Sequence, residues 1–247
     1  MATKKITSLE VAKLAGVSQS AVSRVFTPGA SVSKKTNEKV RRAASELGYR
    51  PNILARSLIT GKSRIIGLVV SHLDNYFYPE ALELLSNALQ KKGYHVLVFL
   101  ASKTSGNIDD VVDEILDYQV DSIILASVAM SSNLATRCTS AGVPVILFNR
   151  TQDDNRLSSV TSDNFAGGKK AARFLIAGGH KRIAYIAGWE GASTQRDREA
   201  GFVKELKEHG ISLYAYEVGN FVRDEARQAA RKMFTADEIP DAVFVAS

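Results

Sequence analysis

The sequence of 247 residues has one cysteine, Cys138, so it forms no internal disulfide bond. Its four histidines are scattered, and no group of His and Cys has the spacing of a metal site. No run approaches the ~18 consecutive apolar residues that a membrane span requires, and the basic start lacks the apolar core of a signal peptide. We expect no metal, no cofactor and no membrane partner, and we predict a cytoplasmic protein.

The motifs of nucleotide-dependent and hydrolytic enzymes are also missing. No Gly-x-Gly-x-x-Gly follows the first predicted strand, and no nucleophile elbow is present. Gly61-Lys62-Ser63 is similar to the end of a phosphate-binding loop, but Arg56 occupies the position of its first required glycine. The sequence therefore predicts that the protein is not an enzyme.

Charge is distributed unevenly along the chain. Residues 1–64 hold 13 of the 32 Lys and Arg residues and 3 of the 26 Asp and Glu residues, a net charge of +10. Residues 65–247 carry a net charge of −4. A basic segment before a mildly acidic one indicates that the first meets a polyanion, although a solvated basic surface has the same composition.

The basic segment has the pattern of three short helices. Apolar spacing predicts helices over 8–15, from an N-cap at Ser18 to Phe26, and over 34–47, where Gly48 ends the third helix. Two helices joined by a glycine turn are typical of a helix-turn-helix. An ordinary three-helix bundle with a solvated polar face is the alternative.

The second of these helices carries side chains suited to reading DNA. Helical spacing places Gln19 and Ser23 on one ridge and Ser20 and Arg24 on the next. Glutamine can pair with adenine through two hydrogen bonds in the major groove, and arginine can pair with guanine. These side chains are candidates for base contacts.

Beyond residue 64 short apolar runs alternate with helical stretches. Strands are predicted at 65–71, 96–101, 121–127, 143–149, 158–162, 182–188, 213–218 and 241–246. Helices are predicted at 78–92, 107–118, 132–141, 164–177, 195–209 and 223–234. This alternation is typical of a doubly wound α/β fold with a parallel sheet.

The sequence from Val11 to Val25 resembles the helix-turn-helix signature of the LacI/GalR family of bacterial transcription regulators. The similarity continues in register through Leu47-Gly48-Tyr49 and Pro51-Asn52. Further matches reach to Arg198, so it covers essentially the whole chain: Ile66-Gly67-Leu68-Val69, Gly93-Tyr94, Gly142-Val143-Pro144-Val145 and Gly178-Gly179-His180.

The resemblance implies an N-terminal all-α helix-turn-helix domain followed by a periplasmic-binding-protein-like α/β domain of two subdomains. The implied boundaries are 1–50 for the DNA-binding domain, 51–63 for a hinge helix and linker, 64–161 for the N-subdomain and 162–247 for the C-subdomain. The chain stops after its last predicted strand, before the return crossing that the family makes. We expect an incomplete regulator, truncated at its C-terminus, and a naturally short variant is the alternative.

The sequence predicts a short helix of conditional stability in the hinge. Asn52 can cap one or two helical turns, but so short a helix is unstable alone in water. The resemblance implies that Ser18, Asn52, Ala55 and Leu58 join the DNA contacts, and that Leu58 wedges between base pairs in the minor groove. A plain interdomain linker is the alternative.

Ligands of doubly wound folds bind beyond the carboxyl ends of the strands. The predicted loops there are rich in amides, hydroxyls, aromatics and arginine, which suit a sugar. Family members with sugar effectors often carry aspartate where Asn149 stands. The resemblance assigns effector contacts to Asn75, Phe77, Asn149, Arg198 and Phe221. Arg196, two residues before Arg198, is a further candidate for an effector contact.

These observations together predict a sequence-specific DNA-binding transcriptional regulator. We expect a repressor that binds a pseudo-palindromic double-stranded operator, forms a homodimer when full length, and responds to a small-molecule effector, a sugar or sugar derivative. A periplasmic-type sugar-binding protein without a regulatory role is the alternative.

Overall fold

A computed structural model describes residues 6–27, 29–51, 61–71, 73, 76–101, 108–128, 131–152, 156–235 and 237–246. The chain divides into two compact units, Met1–Ser63 (unit 1) and Arg64–Ser247 (unit 2). No helix within the described ranges is long and apolar enough to cross a membrane. The same ranges contain no group of three or more His, Cys, Asp or Glu side chains that could hold a metal ion.

Unit 1 contains the helices α1 (Ser8–Ala15), α2 (Gln19–Val25) and α3 (Lys34–Leu47). Gly16 ends α1 with a φ of 64°, the left-handed conformation that glycine adopts without strain. Ser18 begins α2 by accepting a hydrogen bond of 3.2 Å from the Ala21 backbone N–H. The three helices pack around small apolar side chains: Val11, Ala12, Ala15, Val22, Val25, Val40, Ala43 and Ala44.

The first lobe of unit 2 is a five-stranded parallel sheet in the order β2-β1-β3-β4-β5. Its elements are β1 (Ile65–Val70), α4 (Phe77–Lys91), β2 (His95–Leu100), α5 (Ile108–Asp117), β3 (Ser122–Ala126), α6 (Ser132–Ser140), β4 (Val145–Phe148) and β5 (Ser158–Val160). The interior strand β1 is buried on both faces because helices cover both sides of a parallel sheet. Cys138 of α6 lies in one of the two apolar clusters that flank this sheet and is 1% exposed.

The second lobe of unit 2 is a three-stranded parallel sheet in the order β7-β6-β8. Its elements are α7 (Asn164–Ala177), β6 (Ile183–Ala187), α8 (Ser193–Glu208), β7 (Ala215–Val218), α9 (Arg223–Phe234) and β8 (Ala242–Val245). Every residue of β6 is buried, whereas β8 at the sheet edge is half-buried. Tyr185 of β6 packs against Phe202 of α8 and Phe244 of β8.

Helices α7 and α8 approach each other closely at two glycines. A Cβ placed on Gly168 would lie 2.9 Å from the Phe202 backbone nitrogen and still closer to the Arg198 carbonyl oxygen. A Cβ on Gly201 would meet the Phe165 backbone at similar range. The absence of side chains at these two positions lets the helices make this contact.

The predicted fold class is confirmed. A three-helix unit precedes an α/β unit with parallel sheets, and within the described residues the predicted helices and strands are present with ends within three residues. The hinge residues Asn52, Ala55 and Leu58 and the loop residue Asn75 lie outside the described residues. The separate 51–63 hinge and the subdomain boundary at 161/162 stay predictions.

Candidate functional site

One face of α2 in unit 1 is polar and exposed. Five side chains that the sequence predicts for DNA contact are exposed there: Ser18, Gln19, Ser20, Ser23 and Arg24. Val22 and Val25 point to the opposite side, where both are buried in the core of unit 1. The structure therefore brings these five predicted residues to one surface.

Local hydrogen bonds hold part of this surface in place. The Ser18 and Ser20 hydroxyl oxygens lie 3.0 Å apart, and Gln19 Nε2 donates to Ser8 Oγ over 2.9 Å. Among the hydrogen bonds and ion pairs of the described residues, the side chain of Arg24 takes part in none, although its backbone carbonyl accepts from Thr27. The guanidinium of Arg24 is thus available to a partner outside the chain.

Basic side chains surround the start and middle of α3. Lys34, Lys35, Lys39, Arg41 and Arg42 are all exposed on this helix. Arg41 donates to Asn37 Oδ1 over 2.7 Å, and its guanidinium lies 5.9 Å from the Phe26 ring centre. Lysine and arginine on one surface attract a phosphate backbone without regard to base sequence.

Unit 2 contains a cleft of about 660 Å³, a volume suited to a small molecule. Both lobes line it, through residues at the carboxyl ends of strands and the first turns of helices. The lining residues are Tyr76, Phe77, Tyr78, Ser127, Asn149, Arg150, Ser162, Ile186, Ala187, Gly188, Thr194, Arg198, Gly219, Phe221, Val222, Arg223, Ala226 and Val245.

Three of the six described non-glycine residues with a left-handed φ line this cleft. Ser127, Asn149 and Phe221 each line it and have φ values of 63°, 59° and 58°, although none is glycine. Left-handed backbone is costly for residues with a side chain, and it persists where the surrounding structure enforces it. Strained backbone of this kind is common at functional sites, so we take the cleft as the candidate binding site.

The first lobe contributes aromatic rings and an amide. Phe77 is half-exposed and stacks on Phe148, with ring centres 5.9 Å apart and planes at 7°. The Asn149 amide nitrogen donates to the Tyr78 hydroxyl over 2.9 Å. A flat apolar face beside fixed hydrogen-bonding groups is suited to a sugar ring.

Arg150 connects the two lobes across the cleft. The side chain is only 6% exposed, and its Nη1 donates to Thr194 Oγ1 over 2.6 Å and to the Asn149 carbonyl over 3.0 Å. The guanidinium carbon lies 5.9 Å from the ring centre of Phe221. Burial lowers the pKa of Arg150 below its usual value because the buried charge loses its hydration.

The second lobe contributes Arg198 from α8. Its Nε donates to Asn164 Oδ1 over 2.8 Å, and its Nη1 donates to the Ala246 carbonyl oxygen at the end of β8. Gln195, one turn earlier and fully buried, accepts a hydrogen bond of 2.8 Å from the Gly188 backbone N–H. This bond holds the loop after β6 against the start of α8.

The structure brings Phe77, Asn149, Arg198 and Phe221 to the cleft, as the sequence predicts for effector contacts. It does not bring Arg196 there. This side chain is 60% exposed, and its Nε donates to Asp197 Oδ1 over 2.9 Å. Residues two apart on a helix differ by about 200° in direction, so Arg196 and Arg198 point to opposite sides of α8.

Tyr78, Arg150 and Thr194 line the cleft but were not among the residues selected from the sequence. A signal existed for Arg150, which directly follows Asn149 at the end of a predicted strand. No local pattern marks Thr194, whose contact with Arg150 spans 44 positions of sequence.

Comparison with known proteins assigns both units. Residues 7–52 match the model of bacterial regulatory proteins of the lacI family, and residues 63–247 match that of periplasmic binding proteins and the sugar-binding domain of the LacI family. Catabolite control protein A of Priestia megaterium is 30% identical over 244 residues, which cover 97% of this chain and 73% of the relative. The regulator CelR of Thermobifida fusca is 34% identical, with 96% of this chain and 72% of CelR covered.

Among solved structures, the lac repressor dimer bound to operator and the anti-inducer ONPF superposes with a TM-score of 0.85 at 28% identity. The match covers 98% of this chain and 74% of that one. A complex of the transcriptional regulator CelR with cellobiose gives a TM-score of 0.66 at 31% identity, with the same coverage of both chains.

A helix-turn-helix unit followed by a periplasmic-type binding unit defines a DNA-binding transcriptional regulator rather than an enzyme. The match over residues 7–52 also decides against a binding protein without a regulatory role. This chain belongs to the LacI family of bacterial regulatory proteins.

Proposed function

We propose that this protein represses transcription by binding a pseudo-palindromic operator as a dimer, and that a sugar or sugar derivative in the cleft controls this binding. The observation that carries the proposal is the presence, in one chain, of the exposed polar face of α2 and the strained cleft of unit 2. One surface has the chemistry of DNA recognition, and the other has the chemistry of small-molecule binding.

In this proposal α2 enters the major groove of the operator. Gln19 and Arg24 contact base edges, because an amide and a guanidinium each make two hydrogen bonds to adenine and guanine respectively. Ser18, Ser20 and Ser23 contact bases or phosphates beside them. The lysines and arginines of α3 add contacts to phosphate that hold the unit on the duplex.

The hinge is the proposed link between DNA and effector. Asn52, Ala55 and Leu58 form a short helix that is stable only on operator, where Leu58 enters the minor groove. Ligand in the cleft moves the two hinges of the dimer apart and withdraws Leu58 from the minor groove. These assignments rest on the sequence, since the three residues lie outside the described ranges.

Phe77 and Phe221 would lie against the apolar face of the sugar ring, while Asn149 and Arg198 bond its hydroxyl groups. The cellobiose complex of CelR and the sucrose operon repressor of Streptococcus mutans, 33% identical to this chain, support a sugar as the ligand class. Asn75 stays a sequence-based candidate. Arg196 is not part of this proposal because the structure places it outside the cleft.

We propose that two copies of the chain dimerise through the first lobe of unit 2. The lac repressor, to which this chain is similar, is a dimer on its operator. Leu84 of α4 and Val98 and Leu100 of the edge strand β2 are large apolar side chains with exposures of 64%, 47% and 58%. Val98 and Leu100 share one face of β2 with Val96, which packs against the same apolar cluster as Leu82 and Leu85 of α4, so apolar side chains are exposed along this edge of the first lobe.

The proposed compartment is the cytoplasm, because the proposed partner is chromosomal DNA. No step of the proposal uses a metal or a cofactor.

The proposal is tested by selection of duplexes from a random-sequence DNA pool with the 247-residue chain. We expect an enriched pseudo-palindrome, with half-sites read by α2. Arg24→Ala should weaken binding to that sequence by about 1–3 kcal/mol and relax preference at one base position of each half-site. Arg42→Ala removes the same charge from α3 and should lower affinity without changing base preference.

A sugar panel added to the protein–DNA complex tests the control step. The effector should weaken operator binding, and operator should weaken effector binding by the same factor, because the two equilibria are linked. Selection of no sequence, or an unchanged base preference in Arg24→Ala, would contradict the DNA-binding assignment.

A further inference from the structure

The described residues that line the cleft of unit 2 carry an unbalanced positive charge. Arg150, Arg198 and Arg223 line it, and none of the described lining residues is a carboxylate. The hydrogen bonds that Arg150 and Arg198 make go to neutral oxygens, among them those of Thr194 and Asn164. Within the described chain, none of the three guanidiniums forms an ion pair.

Arg150 shows this imbalance most directly because its guanidinium is buried. Its Nε is enclosed by protein and has no hydrogen-bond partner, although the residue is 94% buried. A buried charge without a counter-ion and a buried donor without an acceptor are both costly. Burial lowers the pKa of Arg150, Tyr78 opposes that shift, and the positive charge of Arg198 in the same cleft adds to it.

Three helices also begin at this cleft without a side-chain cap. Tyr76, Ala192 and Val222 are the N-caps of α4, α8 and α9, and none of their side chains accepts a hydrogen bond from the first turn. Three helices that begin away from the cleft have such caps, at Ser18, Ser33 and Ser131, and Asp163 caps α7 next to the cleft-lining Ser162. A helix N-terminus carries partial positive charge and favours an anion.

We propose that the effector of this protein is an anionic carbohydrate, a small sugar that carries a carboxylate or phosphate group. The inference rests on the proposed function of the cleft as a sugar site and specifies the charge of the ligand. Arg150, Arg198 and Arg223 supply the counter-charge, while Phe77 and Phe221 hold the ring. The anion supplies the counter-charge that the guanidiniums lack, and the partial positive charge of the uncapped helix N-termini favours it further.

The size of the cleft restricts the ligand further. A volume of about 660 Å³ admits a monosaccharide or disaccharide with one charged substituent and excludes a polymer. A carboxylate and a phosphate group each present several oxygens to which guanidinium groups make paired, charge-assisted hydrogen bonds. A neutral sugar offers hydroxyl oxygens to these donors but leaves the positive charge of the guanidiniums without a counter-charge.

Calorimetric titration of the 247-residue chain tests the charge of the ligand. The panel contains galacturonate and glucuronate, galactose 6-phosphate and glucose 6-phosphate, and the neutral parents galactose and glucose. We expect at least one anion to bind tenfold or more tightly than its neutral parent. Its affinity should fall as sodium chloride is raised from about 50 to about 300 mM, because salt screens the attraction.

A matched pair of variants on α9 tests the site. Arg223 and Arg231 are both exposed, and only Arg223 lines the cleft. Arg223→Gln should weaken binding of the anionic ligand about tenfold, as expected for loss of a hydrogen bond to a charged group, and leave any neutral sugar within twofold. Arg231→Gln makes the same change of charge on the same helix and should leave both affinities unchanged.

The outcomes separate this inference from the function on which it rests. Neutral parents that bind as tightly as both kinds of anion would overturn the anionic effector and leave a sugar-controlled repressor standing. The same conclusion follows if Arg223→Gln and Arg231→Gln bind the anion equally well. If no sugar of either charge binds, the sugar-effector function and this inference fall together. Preference for the uronates identifies a sugar acid, and preference for the 6-phosphates identifies a sugar phosphate.

Discussion

Two adjacent glycines of α7 should respond to alanine with opposite signs. Gly168 faces α8, where an added Cβ would lie 2.9 Å from the Phe202 nitrogen and closer still to the Arg198 carbonyl oxygen. Gly167 is exposed, and a Cβ added there would meet nothing within 4 Å. Both substitutions replace glycine by alanine in the same helix and therefore change helix propensity equally. The difference in stability between the two variants measures the effect of packing alone.

The magnitudes follow from the two environments. Gly167→Ala should stabilise the protein by up to about 1 kcal/mol because alanine favours a helix over glycine. Gly168→Ala has the same gain but places a methyl group inside the ~3.5 Å separation that nonbonded heavy atoms prefer. Its neighbours are backbone atoms that cannot rotate away. Overpacking of this kind costs about 3 kcal/mol at the upper end of its usual range, so the net loss is about 2 kcal/mol.

Thermal unfolding followed by circular dichroism measures both variants. For a unit of this size, a loss of about 2 kcal/mol lowers Tm by roughly 4–8 °C, and Gly167→Ala should raise it by a few degrees. Because the clash in Gly168→Ala involves the backbone of Arg198, sugar binding should weaken in that variant only. If Gly168→Ala is as stable as the unchanged chain, the close contact of α7 and α8 is not required and the reasoning fails.

Three further predictions concern single side chains. Hydrogen bonds from Arg173 and Lys169 lower the pKa of Glu205 to about 2, so its contribution to stability is complete above its ordinary pKa of about 4.3 and is lost as pH falls towards 2. Glu205→Gln should therefore melt below the unchanged chain at pH 7, and the difference should close between about pH 4.3 and 2; a constant difference would contradict this. Leu100→Asp should shift sedimentation towards monomers, while Phe174→Asp, a change at an even more exposed apolar side chain on α7, should not. Ser18→Ala removes the acceptor for the Ala21 N–H and should cost about 0.5–2 kcal/mol in the unfolding of unit 1, measured by urea titration.

Features set by neighbouring residues could be predicted from the sequence. The caps at Ser18 and Gly48 and the bounds of α1 and α3 depend on contacts within a few positions, and they follow from residue type and spacing. The strands of the first lobe are continuous apolar runs because both faces of the sheet are covered. Local patterns therefore account for the elements and their order.

The composition of the cleft could be predicted only in part. The rule that ligands bind at the carboxyl ends of strands identified the region that contains Phe77, Asn149 and Phe221. It could not give the direction of Arg196, which depends on the rotation of α8 about its axis. The burial of Arg150 depends on its contact with Thr194 in the other lobe, and no sequence pattern reports such a contact.

The burial of Cys138 provides a built-in reporter of motion in the first lobe. Burial raises the pKa of this thiol, so both access and the thiolate form are suppressed in the folded chain. An alkylating reagent can modify it only during transient opening of the apolar cluster around α6, and the rate of modification then measures the free energy of that opening. The single tryptophan, Trp189, lies in the second lobe and is half-exposed, so its fluorescence reports there. The rate of Cys138 modification thus reports on the first lobe and the fluorescence of Trp189 reports on the second, without any engineered label.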